Sequence, residues 1–152
     1  MITRRTALGF LVAVPVAGTL ARPALAAKPE IYAEGGVAIN GYDPVAYFNE
    51  SQPVKGAAAH AVSYKGATWH FASDRNKAAF EADPEAFAPK YGGYCAYAVS
   101  KGGTATTSPD AWTIHEGRLY LNYNTTVRGI WSEDIPGNVA KADANWPKVL
   151  EA

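Results

Sequence analysis

The chain has 152 residues, with 14 basic and 14 acidic side chains and a formal net charge of zero. These charges are scattered, which argues against a nucleic-acid groove, since that needs a concentrated basic face. A lone cysteine, Cys95, excludes an internal disulfide, and Met1 as the sole methionine argues against a Met-rich copper carrier.

The first 26 residues read as a cleavable secretory signal. Arg4 and Arg5 form a basic start, an apolar stretch runs from Ala7 to Leu20, and Ala24-Leu25-Ala26 sets small residues where a signal peptidase reads. That stretch is shorter than the ~20 apolar residues of a spanning helix. It also holds Gly9, Pro15 and Gly18, so no stable membrane insertion is expected after cleavage. The arginine pair resembles a twin-arginine signal, which exports folded proteins, although Ala7 and Gly9 depart from the usual pattern. Export by the general unfolded route stands beside it. The expected location is the periplasm or another extracytoplasmic compartment. The mature chain would have 126 residues and, because Arg4, Arg5 and Arg22 leave with the signal, 11 basic against 14 acidic groups. That length suits one domain with a modest core.

Residues 27–39 read as an irregular lead-in, and residues 40–152 as the domain with a C-terminal helical extension. Asp43 can cap a short helix with Pro44 at its first position. His60 to Tyr64 and Thr68 to Ala72 read as strands joined by Lys65-Gly66. Alternation sends Trp69 and Phe71 to one face and Thr68, His70 and Ala72 to the other. Ser73 caps a helix through Phe80, and Asp83-Pro84 starts another short turn containing Phe87. Tyr91 to Ala98 is ambiguous, and Gly92-Gly93 marks a turn or a close backbone approach. Trp112 to His115 and Arg118 to Tyr123 form a hairpin around Glu116-Gly117. Helical patterning returns at Thr126 to Trp131 and from Pro136 to about Ala142. The fold class is α+β, a small single domain with two β-hairpins packed by short helices.

Several motifs in order, GYDPVAYF, YKGATWHFAS and NKAAFEADPEAFAPKYGGYCAYAVSKG, resemble the YHS domain. With AWTIHEGRLYLNY and KADANWP following, the chain is most similar to the exported branch of that family over about residues 40 to 147. In metal-associated members a Tyr-His-Phe-Cys-Ser run has a second cysteine nearby. Here Trp69-His70-Phe71-Ala72-Ser73 has Ala72 for the first thiol, and Asn76 stands at the second, so the family's two-thiol site is missing. The resemblance further implies that some members of the exported branch have selenocysteine at a cysteine position, for which Cys95, the lone cysteine, is the only counterpart in this chain.

The candidate metal site is Cys95 with His70, and with His60, His115 and Asp43 as further ligands. No His-x-His or His-x-x-x-His pair exists, so such a site has to be assembled across the fold. Thiolate with imidazole suits copper, the favoured ion, or zinc. No organic cofactor is indicated. The leading expectation is an exported metal-binding module, more binding protein than enzyme, whose partner is a metal ion or a metal-delivery protein. A thiol redox enzyme acting through Cys95 alone is the alternative, resolved by an external thiol because no second cysteine is present. A third reading is an accessory module whose aromatic-rich groove holds a partner. For Cys95 itself, burial as an ordinary structural residue weighs equally.

Overall fold

The computed structural model describes residues 27–152, together with Pro15 and Gly18. Apart from those two positions, the expected signal lies outside the described residues.

The main sheet has four strands in the order β1-β2-β4-β3: β1 (Ala33–Glu34), β2 (Val37–Ala38), β3 (Ala57–Tyr64) and β4 (Ala67–Phe71). β3 and β4 are antiparallel with Val62 opposite Trp69, and β2 lies parallel to β4 with Val37 opposite Thr68. Lys65 and Gly66 connect β3 to β4 with φ of 50° and 79°. Two successive positive φ values make the type I′ turn, whose twist matches the flanking strands. β5 (Trp112–His115) and β6 (Arg118–Leu121) form the expected second hairpin, turning at Glu116 and Gly117 in the same way.

Residues 27–39, expected as an irregular lead-in, are part of the fold. β1 and β2 pair within them, and Ile31, Tyr32, Ala38 and Ile39 are buried. Strands of two residues are too short for alternation to betray them.

The helices follow their caps. α1 (Ala46–Asn49) begins beside Asp43. α2 (Asp74–Ala82) starts where the Ser73 hydroxyl accepts the Asn76 N–H, and α3 (Pro84–Phe87) where Asp83 accepts that of Ala86. α4 (Ala96–Ser100) resolves the ambiguous stretch after Gly92-Gly93 as a short helix. α5 (Thr125–Ser132) is capped by Asn124, and α6 (Ile135–Asn145) by Asp134. α6 outruns the expected Pro136–Ala142 at both ends. It stops because Pro147 forces the preceding Trp146 into extended backbone, with φ −85° and ψ 137°.

Trp69, Phe71 and Phe80 are wholly buried, with the Phe80 ring 5.2 Å from Trp69 and 5.0 Å from Phe71 between centroids. The aromatic face read from strand alternation is therefore the core of the sheet half. Trp131 centres the other half, 5.2 Å from Tyr120. The Lys28 N–H donates to the Leu150 carbonyl at 2.7 Å and closes the fold. No described helix is long and apolar enough to cross a membrane.

Candidate functional site

Asp43 sits just before α1 with no exposed surface. Its Oδ1 accepts the Val45 and Ala46 N–H groups at 2.8 and 3.3 Å, which is the capping role read from the sequence. Its Oδ2 accepts the Ala72 N–H and the Asn76 side-chain amide, both at 2.8 Å. Asn49 in turn donates to Asn76 Oδ1 at 3.0 Å. The two positions that the resemblance matches to cysteines, Ala72 and Asn76, are thus both bonded to one buried carboxylate. A polar hub tying α1 to β4 and α2 occupies that corner.

Cys95 is 1% exposed at the start of α4. Its sulfur accepts the Tyr123 N–H at 3.3 Å and donates to Asn122 Oδ1 at 3.5 Å. That oxygen also takes the Tyr97 N–H at 3.0 Å. The thiol thereby pins the start of α4 to the chain leaving β6. The histidines lie elsewhere. His60 Nδ1 is 2.8 Å from Asp74 Oδ1 at the rim of β3. His70, half-buried on β4, sets its Nδ1 over Gly41. His115 ends β5, near Glu116 and edge-on to Tyr120.

Among the described residues, no group of three or more His, Cys, Asp or Glu side chains could hold a metal ion. The donor chemistry gives the reason. A copper or zinc centre needs free lone pairs converging on one point. Both Asp43 oxygens already take two N–H groups each, and the Cys95 sulfur faces an N–H donor and an amide oxygen that is in use. These residues do not fit a pre-built metal centre.

The fold builds instead a cleft that the sequence reading did not single out, of about 190 Å³. Tyr64, Tyr91 and Trp146 supply aromatic walls, Ile31 and Pro89 apolar ones, and Lys65, Lys90 and Arg118 the positive charge. Lys65 is paired with Glu30 at 2.8 Å and approaches Glu85 at 3.9 Å. The Glu30 hydrogen bond raises its ammonium above the ordinary lysine value. Lys90 is held by Asp143 at 3.0 Å, which also accepts the Tyr91 hydroxyl at 2.9 Å. Burial, and then this Asp143 bond, push the Tyr91 hydroxyl far up. Arg118 differs. Its Nε is buried with no hydrogen-bond partner, and no acid lies within ion-pair reach of it among the described residues.

Gly92 fixes the back of the cleft. It has φ +63°, and a side chain there would collide with the Glu30 carbonyl. Its own carbonyl accepts the Tyr32 N–H at 2.8 Å. The paired glycines do mark a close backbone approach, as their pattern implied. No local pattern announces the cleft, because its walls come from segments between Glu30 and Trp146.

Residues 45–91 match the family model of the YHS domain. The match spans α1 to α3 with the β3–β4 hairpin between them, and ends at Tyr91 in the cleft wall. No curated protein and no solved structure matches the chain.

Proposed function

We propose that the chain is an exported, non-catalytic binding module, in which the YHS unit and the segments flanking it form one ligand cleft. The supporting observation is Arg118, a cation in the cleft wall whose buried Nε has no partner. An unmet buried donor costs about 1–3 kcal/mol, and more when charged. An anionic ligand in the cleft would meet the Arg118 guanidinium and give it the counter-charge that no neighbouring acid among the described residues supplies. Lys65 and Lys90 are already neutralised by neighbouring acids, so the demand falls on Arg118 alone.

The export reading rests on the sequence of the first 26 residues, with its Arg4-Arg5 start, its apolar stretch to Leu20 and its small residues Ala24 and Ala26. Mass spectrometry of the periplasmic fraction should find a mature N-terminus at or near Ala27.

The binding reading is tested by titrating the protein with a library of small anions and neutral analogues, monitored by amide NMR. Shifts should gather at Lys65, Gly92, Arg118 and Trp146 and be unaltered in Cys95→Ser. An anaerobic Cu(I) and Zn(II) titration runs beside it. Binding tighter than about micromolar, or 8 kcal/mol, that is lost in Cys95→Ser would replace this reading with the metal centre implied by the family resemblance.

A further inference from the structure

We infer that the cleft takes a small carboxylate on a flat or apolar body, and that Arg118 reads its charge; this deepens the binding-module reading and rests on it. The charges around the cleft decide the ligand's sign. Glu30 and Glu85 lie on Lys65, and Asp143 lies on Lys90. Each lysine is offset by at least one acid, which leaves the guanidinium of Arg118 as the cation without an acid in reach.

The three cations around the cleft are matched in number by Glu30, Glu85 and Asp143, so no excess positive charge is left to hold a dianion such as phosphate. Arg118, the one cleft cation with no acid in reach among the described residues, can take a single carboxylate. A carboxylate also suits the planar fork of arginine, which binds it through two parallel N–H donors.

The body of the ligand follows from the walls. Tyr64, Tyr91 and Trp146 with Ile31 and Pro89 present aromatic and aliphatic surface. The volume of about 190 Å³ is below the ~300–1,000 Å³ of pockets that hold drug-sized ligands. It admits a single ring or a short chain. Arg118 is held in place by its setting, since it opens β6 opposite His115 directly after the tight Glu116-Gly117 turn. A donor on a rigid hairpin is already positioned before the ligand arrives, which lowers the cost of binding.

The test uses the full chain with benzoate, its uncharged analogue benzamide, and inorganic phosphate, followed by calorimetry and amide NMR. Benzoate should bind at the cleft at least about tenfold more tightly than benzamide, and phosphate should not displace it. Arg118→Gln should weaken benzoate by about tenfold or more and leave benzamide unchanged. Arg118→Lys, which keeps the charge and loses the fork, should fall between. Equal affinity for benzoate and benzamide overturns the carboxylate assignment without needing any variant, and leaves the cleft standing as a binding site. Unchanged benzoate binding in a folded Arg118→Gln overturns the role of Arg118. Phosphate displacing benzoate overturns the choice of carboxylate over phosphate. If none of the three probes shifts the cleft residues, the binding-module reading fails together with this inference.

Discussion

Replacing Asp43 with alanine should remove a large part of the stability of the domain. The carboxylate accepts four hydrogen bonds, three at 2.8 Å and one at 3.3 Å, in a site with no solvent exposure. The Val45 and Ala46 N–H groups, at the start of a short helix, lose their cap. The Ala72 N–H and the Asn76 amide are left facing a void that the methyl of alanine cannot fill. With the two orphaned donors costing about 1–3 kcal/mol each and the lost cap about 1 kcal/mol, the expected loss is about 3–7 kcal/mol. A typical domain has only about 5–15 kcal/mol in total. Asp43→Asn keeps one acceptor but turns an NH₂ group toward two donors, so it should cost roughly half as much. Urea unfolding followed by tryptophan fluorescence gives these values by linear extrapolation. The same melts with chelator and with added zinc separate a structural carboxylate from a ligand. A loss under about 1 kcal/mol for Asp43→Ala would refute the hub, as would a loss that appears only when metal is present.

Two adjacent residues form a second test. Trp69→Ala should cost about 3–5 kcal/mol, because it empties the centre of the sheet core. His70→Ala, on the half-buried face, should stay under about 1 kcal/mol, and denaturant melts of the pair check both. A third expectation concerns alkaline pH. Burial, helped by the Glu34 bond, raises the Tyr32 hydroxyl to about 12, and burial with the Asp143 bond raises that of Tyr91 as well. The folded state therefore keeps protons that the unfolded chain releases from about pH 10. The stabilisation is complete below that point and is lost as pH climbs through the folded-state values. Phenolate absorbance should show these tyrosines still protonated in the native protein above about pH 10.5. Full native-state titration near pH 10 would contradict it.

Local chemistry made half of this fold legible. Ser73 and Asp83 cap the helices they were expected to cap, alternation through Trp69 and Phe71 marks the core face, and the dipeptides Lys65-Gly66 and Glu116-Gly117 both turn hairpins. What escaped was long-range. Asp43 reads as a cap from its neighbours, yet its second oxygen is spent on residues 29 and 33 positions away. Cys95 looks like a free thiol in sequence, and only the packing of β6 brings Asn122 and Tyr123 onto its sulfur. The cleft was least visible of all. Arg118 is an ordinary hairpin arginine until Trp146 and Tyr91 are seen beside it. Single residues from distant segments leave no periodicity to find.

The bond from the Lys28 amide to the Leu150 carbonyl brings the two ends of the folded unit side by side. Anything fused ahead of the domain or behind it therefore emerges from the same patch of surface, a few residues from Glu30, Ile31 and Trp146 in the cleft wall. A peptide linker could join those ends and the chain be reopened at Lys101-Gly102, an exposed turn after α4. Such a circular permutant would retain every strand pairing, since the cut falls outside the strands and outside the residues lining the cleft.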